Sequence, residues 1–192
     1  MLKQRKLDFQ MARIYLIRHG RAESGWDRDY DPGLDDLGRF QASAAADKLA
    51  PLGPLEIISS PLRRARQTAM PLAELWGCSI RTEKHFGEIP SPRSDLRERG
   101  RWLGDIMAKK WSDLGRDLQA WRMEVIKAIR ALDTETVVFS HFIAINVIAG
   151  AATGDDRVVG FWPDNGSVTT VDVDGDRLSM VERGSEIYTS IG

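Results

Sequence analysis

Cysteine is nearly absent from this 192-residue chain, since Cys78 stands alone. That excludes an internal disulfide and a cysteine-built zinc cluster, and it fits a reducing compartment. Cys78 reads as a buried thiol. No stretch approaches the roughly 20 consecutive apolar residues of a membrane-spanning helix. Residues 1–10 carry Lys3, Arg5 and Lys6 with no apolar segment behind them, unlike a secretory signal. The expectation is a cytoplasmic protein with no membrane partner, whose residues 1–11 form a tail or an upstream start outside the fold. An excess of one charge sign is lacking too: 27 Lys and Arg face 28 Asp and Glu, a net charge of -1. No global field therefore draws the chain to nucleic acid, and any anion must be gripped locally. The chain has no Gly-x-Ser-x-Gly, no His-Glu-x-x-His, no phosphate loop ending in Gly-Lys-Ser/Thr and no paired His-x-Thr/Ser motifs, which removes several hydrolase designs.

What is present is an ordinary globular composition, 42% apolar and 29% charged, and a length that suits one domain, here residues 12–192. From Ala12 onward short β-branched runs alternate with longer helical ones, the signature of an α/β sheet covered by helices. Ile14–Ile17 reads as the first strand. Asp35 then caps a helix with Leu37, Phe40, Ala44, Ala45 and Leu49 on one apolar face, stopping near Pro51 and Gly53. Strand 55–59, helix 61–76 ended by Gly77 and an edge strand 79–82 follow. Residues 83–104 are polar, with Pro90 and Pro92, and read as a covering loop. Ser112 caps a long helix bearing Leu114, Leu118, Trp121, Val125, Ile129 and Leu132, before a buried strand 136–139 and an apolar helix near 142–152. Val168–Val173, the turn Asp174-Gly175 and Leu178–Val181 form a hairpin. The predicted fold is a three-layer α/β/α sandwich, with a mostly parallel central sheet, a C-terminal hairpin and a short cap around residues 89–115.

Two of the three histidines stand where strands end: Arg18-His19-Gly20 after the first and Ser140-His141 after the fourth. In an open α/β sheet ligands bind beyond the carboxyl ends of strands, so the two can converge on one pocket. After the second strand comes Ser60-Pro61-Leu62-Arg63-Arg64-Ala65-Arg66-Gln67-Thr68-Ala69, a helix start loaded with guanidinium groups able to fork onto phosphate oxygens. Arg63 and Arg66 read as surface residues of that helix.

These blocks, with the acidic Glu88 after the third strand, resemble the histidine phosphatase superfamily, also called phosphoglycerate mutase-like, from Ala12 to about Gly175 and in the family's order. The resemblance implies His19 as nucleophile, Arg18, Arg64 and His141 as phosphate ligands, and Glu88 as proton donor. The chemistry is also open to these residue types on general grounds. A phosphoryl group in flight carries charge on three equatorial oxygens, which preorganised cations stabilise. A neutral imidazole is a competent nucleophile near pH 7, and water can cleave the phosphohistidine it forms. No metal or cofactor is then required. The acid must be protonated to release an alkoxide and ionised to activate water, so a raised pKa would suit it. Glu83 is the other candidate for that role, with His85 near enough to support the site or to be structural.

The chain also departs from the family. Phe142 replaces the glycine that often follows the second histidine, placing a side chain where it would narrow the pocket mouth. The first motif continues Arg21-Ala22-Glu23-Ser24, and Glu88 is followed by Ile89-Pro90-Ser91-Pro92, unlike the mutases. About 50 residues separate Glu88 from His141, a short cap that favours a small or exposed phosphate ester, or a phosphoprotein. Within it Arg93, Arg97, Arg99, Arg101, Lys109 and Lys110 outnumber Asp95, Glu98 and Asp105. That excess could hold a second anionic group or line a solvated face. Asn165-Gly166-Ser167 resembles a family stretch near the site, but a turn explains it. The expected activity is metal-independent phosphomonoester hydrolysis through phosphohistidine. A mutase and a catalytically silent phospho-ligand binding module are the alternatives, and oligomeric state is open.

Overall fold

The computed structural model describes residues 11–25 and 27–186; the tail expected at the N-terminus lies outside them except for Met11. Six strands form one sheet: β1 (Ala12–Arg18), β2 (Glu56–Ser59), β3 (Ile80–Thr82), β4 (Thr136–Ser140), β5 (Val168–Asp174) and β6 (Arg177–Glu182), in the order β3-β2-β4-β1-β5-β6. The first four are mutually parallel, and β5 and β6 form the antiparallel hairpin against β1. Five helices cover it: α1 (Asp36–Leu49), α2 (Arg63–Trp76), α3 (Leu96–Met107), α4 (Arg116–Arg130) and α5 (Phe142–Thr153). Because successive side chains of a strand alternate faces, Ile17 joins Ala45, Leu49, Leu72 and Phe139 under α1 and α2. Ile14 and Leu16 join Val125, Ile129 and Ile148 under α4 and α5. The three-layer α/β/α sandwich is thus the fold.

Four local expectations are corrected. Asp35 does cap α1, accepting from the Gly38 amide at 2.7 Å, but Leu37 and Phe40 point outward, with Phe40 70% exposed. The buried face is Gly38, Ala42, Ala45, Ala46 and Leu49. Small residues win there because α1 begins hard against the chain after β1: a Cβ on Gly38 would lie 2.1 Å from the Arg21 carbonyl oxygen, and one on Gly20 would lie 2.4 Å from that of Gly38. The covering loop contains α3, whose N-cap Asp95 accepts from the Glu98 amide and which buries Leu103 and Ile106. So few apolar residues in a charged stretch leave little periodic signal. Ser112 does not cap α4. It lies in a 3-10 turn, Trp111–Asp113, pinned by fully buried Trp111, and Gly115 starts the helix. Cys78 is only partly buried.

Candidate active site

The register of the sheet brings the functional residues together. Arg18 pairs with Ser140 across β1 and β4, and Ser59 pairs with Phe139 across β2 and β4. The next residues, His19, His141 and Ser60, therefore emerge side by side at one sheet end. The His19 amide donates to the Ser140 carbonyl at 3.0 Å and the Ser60 amide to that of Phe139 at 2.9 Å. The two imidazoles lie with ring centroids 5.1 Å apart.

Each ring has a fixed orientation. His19 Nδ1 is 2.7 Å from the Gly20 carbonyl oxygen, an atom that can only accept, so the ring proton sits on Nδ1 and the lone pair on Nε2. Arg64 Nε donates to that Nε2 at 3.1 Å. His141 Nε2 is 2.7 Å from Ser60 Oγ. Since Ser60 Oγ also accepts from the Leu62 amide, its own proton is available to Nε2. When Ser60 donates in this way, the His141 proton sits on Nδ1, a buried atom without a hydrogen-bond partner. Burial, and after it the charges of Arg64 and Arg18, hold the His19 pKa well below the ordinary value, with the Gly20 carbonyl opposing. His141 is lowered well below it as well, by burial and then by Arg64, His19, Arg18 and Arg99. Both rings are neutral at pH 7.

The second block of the sequence is explained residue by residue on α2. Arg64 is buried at 3% exposure, with Asp31 4.0 Å from its guanidinium. One turn on, Thr68 Oγ1 accepts from the Gly20 amide at 3.0 Å, and Gln67 accepts from the Leu34 amide at 2.7 Å. The helix start has no side-chain cap of its own, and Asp31 Oδ1 accepts from the Arg63 amide at 2.7 Å instead. Arg63 and Arg66 are exposed, as expected of them.

Glu88 is buried. Its Oε1 accepts from the Ile89 amide at 2.9 Å, and the Ile143 amide in the first turn of α5 also pulls on the carboxyl. Burial raises its pKa to about 7, against the pull of the Ile89 amide and of Arg64 and Arg18. The segment reaches the site because Ser140 Oγ donates to the Phe86 carbonyl at 2.8 Å. Glu83 does not share this environment. It accepts from His85 Nδ1 at 2.7 Å, and His85 Nε2 faces Glu124 at 3.9 Å, in a separate hollow beside α4. Burial would raise the Glu83 pKa, but its hydrogen bonds from the His85 amide and ring outweigh that and lower it. His85 supports Glu83 and not the histidine pair, and Glu83 is a poor proton donor.

A cleft of about 200 Å³ opens over His19, lined by Arg18, Arg64, Tyr30, Arg99 and Asn165 among others. Three of these were not placed there by the sequence. Asn165 Nδ2 donates to the His19 carbonyl at 2.8 Å; its Asn-Gly-Ser stretch was the available signal. Arg99 alone of the cap cations is half-buried and lies over the Tyr30 ring at 5.7 Å, whereas Arg93, Arg97, Arg101, Lys109 and Lys110 are exposed. Tyr30 carried no signal; its hydroxyl donates to the Ser94 carbonyl, tying the loop before α1 to the cap. Phe142 does not narrow the cleft, because its ring packs behind Arg18 at 5.0 Å. No three metal-ligating side chains gather among the described residues, and no helix is long and apolar enough to cross a membrane.

The site offers a neutral imidazole whose Nε2 lone pair accepts from Arg64, one buried and one partly buried guanidinium group, a second imidazole beside the first and a carboxyl group titrating near neutrality. The chain is similar to the glucosyl-3-phosphoglycerate phosphatase of Mycolicibacterium vanbaalenii, 38% identical over 114 residues, which are 48% of this chain and 51% of that protein. It is 30% identical over 122 residues, 60% of this chain and 50% of the relative, to a probable phosphoglycerate mutase of Erwinia tasmaniensis. The chain thus matches about half the length of these curated relatives. A solved mycobacterial glucosyl-3-phosphoglycerate phosphatase complexed with VO3 superposes with a TM-score of 0.68 at 25% identity, covering 91% of this chain and 100% of that one. The sequence profile of the histidine phosphatase superfamily, branch 1, matches residues 14–185, so nearly all of the described fold, with the histidine pair at its sheet end, belongs to that superfamily.

Proposed function

We propose that the protein is a metal-independent phosphomonoester hydrolase acting through a phosphohistidine on His19. The observation that carries this reading is the gathering of His19, His141 and Arg64 at one sheet end, with the imidazole centroids 5.1 Å apart and Arg64 Nε 3.1 Å from His19 Nε2, beside a cleft that Arg18, His19 and Arg64 line. Arg18 Nε and His141 Nδ1 are buried polar atoms without protein partners, suited as donors to phosphate oxygens. Glu88, close enough for Arg64 and Arg18 to act on its pKa, is an acid whose proton the leaving oxygen would take.

The reaction balances in two steps. His19 Nε2 attacks phosphorus as the ester P–O bond breaks, and the Glu88 carboxyl gives its proton to the departing alkoxide. The Glu88 carboxylate then takes a proton from water, whose oxygen attacks the phosphohistidine, breaking the P–N bond to release inorganic phosphate and restore the ring. Arg18, Arg64 and His141 hold the charge developing on the equatorial oxygens in a site where desolvation strengthens each contact. The Gly20 carbonyl on Nδ1–H fixes which nitrogen reacts and stabilises the phosphoimidazole cation.

A cleft of this size fits a small phosphorylated metabolite better than a folded phosphoprotein, and the naming of the relatives puts phosphorylated glycerates and their glycosides first among candidates. The probable mutases among the relatives support a second reading, in which the phosphoenzyme returns phosphate to another hydroxyl. Turnover of a panel of phosphorylated sugars, glycerates and nucleotides tests both. Stoichiometric inorganic phosphate is expected. Isomerised phosphoester with no free phosphate would favour the mutase, and phosphate binding without turnover would favour a silent binding module. We also assign residues 12–192 to a single domain with its short cap around residues 89–115, which limited proteolysis would test.

A further inference from the structure

Phe142 begins α5 directly after His141, and its ring touches both a charge and an indole. The Arg18 guanidinium carbon lies 5.0 Å from the Phe142 centroid. The Trp162 ring lies 5.1 Å from it at an interplanar angle of 51°. Arg18 is held at its end as well, Nη1 donating to the Pro163 carbonyl at 2.7 Å. The residues that grip Arg18 and His19 lie within four positions of one loop: Trp162 packs on Phe142, Pro163 takes Nη1, and Asn165 takes the His19 carbonyl at 2.8 Å. That loop is tied in turn to α5. Asn146 Oδ1 accepts from the Gly160 and Phe161 amides at 2.9 and 3.2 Å, and Asn146 Nδ2 donates to the Phe142 carbonyl at 3.0 Å.

A guanidinium needs such fixing here. Arg18 ends β1 in a site where desolvation works against its charge, and a long arginine side chain loses rotamer freedom on being held. With Nη1 engaged and one face covered, the buried Nε is the donor without a partner. An aromatic face within about 6 Å of a desolvated cation attracts it through the ring quadrupole, and an aliphatic side chain of similar bulk does not.

We propose that Phe142, backed by Trp162, is a positioning residue that aims Arg18 Nε at the phosphate oxygens, so that this chain uses an aromatic platform to set its anion affinity. The inference rests on Arg18 being a phosphate ligand, as proposed above. It is tested by a double-mutant cycle of Phe142→Leu with Arg18→Gln, read as inorganic phosphate and vanadate affinity by calorimetry and as kcat and KM for p-nitrophenyl phosphate. Leucine keeps apolar bulk in the core and removes the ring face. Phe142→Leu should weaken anion binding about tenfold, Phe142→Tyr should restore it to within about threefold, and Phe142→Leu should add nearly nothing in the Arg18→Gln background. Equal effects of Phe142→Leu in both backgrounds, or no effect in either, overturn the inference. If Phe142→Leu fails to fold, Trp162→Leu at the half-exposed outer ring replaces it, with a smaller loss expected and the same Arg18 dependence. Affinity is measurable without turnover: a protein that binds phosphate and hydrolyses nothing defeats the proposed reaction while the cycle still decides the role of Phe142.

Discussion

On one side of the cleft the ends of β1, β2 and β4 deliver His19, Ser60 and His141 from residues paired in register, all three buried, with the His19 and Ser60 amides donating to β4 carbonyls and the His141 ring held by Ser60 Oγ. Across it, Arg99 comes from α3, a helix whose own buried residues are only Leu103 and Ile106. The first wall cannot move without breaking the sheet. The second is a separate segment, held by Leu103 and Ile106 of the helix, by buried Trp111 beyond it and by the Tyr30 hydroxyl on the Ser94 carbonyl. Under the proposed function, phosphate chemistry is assigned to the sheet end and discrimination between esters to the cap, as is general where loops vary on a rigid scaffold.

The sharpest way to break this division is on the rigid side. His19→Ala should lower kcat by about 10⁵-fold or more, since removing a nucleophile discards the covalent route; a rate assay with p-nitrophenyl phosphate checks it. Glu88→Gln should cost roughly 10²- to 10⁴-fold in kcat, and should abolish any titration near pH 7 in the rate profile. A smaller loss with activated aryl esters than with alkyl ones would mark Glu88 as the proton donor. Arg64→Lys retains the charge but loses the guanidinium fork; a drop of roughly 10²-fold in kcat/KM is expected. On the cap side the effect should be smaller and selective. Arg99→Ala should raise KM about tenfold for carboxylated phosphate esters while leaving p-nitrophenyl phosphate within about twofold. Equal losses for both would place Arg99 with the chemistry and blur the comparison.

Stability against pH separates the same groups by sign. The two imidazoles are less basic in the folded chain than their ordinary 6.5, so the unfolded chain binds more protons below that pH. Their contribution is present above about pH 6.5 and lost as pH falls. Glu88 runs the other way: its pKa of about 7 exceeds the ordinary 4.5, so its contribution is present below about pH 4.5 and lost as pH rises through 7. Glu88→Gln should thus stabilise the protein at pH 8, by up to about 3 kcal/mol, and have little effect at pH 4.5. Urea denaturation at the two pH values measures this.

Much of the rigid wall was legible in the sequence because strand ends and helix starts leave local marks. Arg18, His19, Arg64, Glu88 and His141 all stand where their motifs suggested, and the element order was readable from alternating patterns. What the sequence left dark was decided by distant contacts. Nothing local says that β4 lies between β1 and β2, which is what seats Ser60 against His141. Phe40 looked like core because it has the right spacing from Leu37 and Ala44, but the close approach of α1 to the backbone after β1 admits only glycine and alanine there. Arg99 was one cation among six in the cap, and only the turn of α3 separates it from the exposed five. Phe142 looked like an obstruction at the mouth; its neighbour across the chain, Trp162, makes it a support.

The central claim is best tested by stopping the reaction with a phosphorylated substrate in base and identifying the phosphorylated atom by mass spectrometry and ³¹P NMR. Nδ1 of His19 is occupied by the Gly20 carbonyl, so the account predicts a base-stable, acid-labile phosphoryl group on Nε2 of His19. Turnover with no phosphohistidine under conditions where hydrolysis of the intermediate is slowed, or phosphate found on another residue, would contradict it.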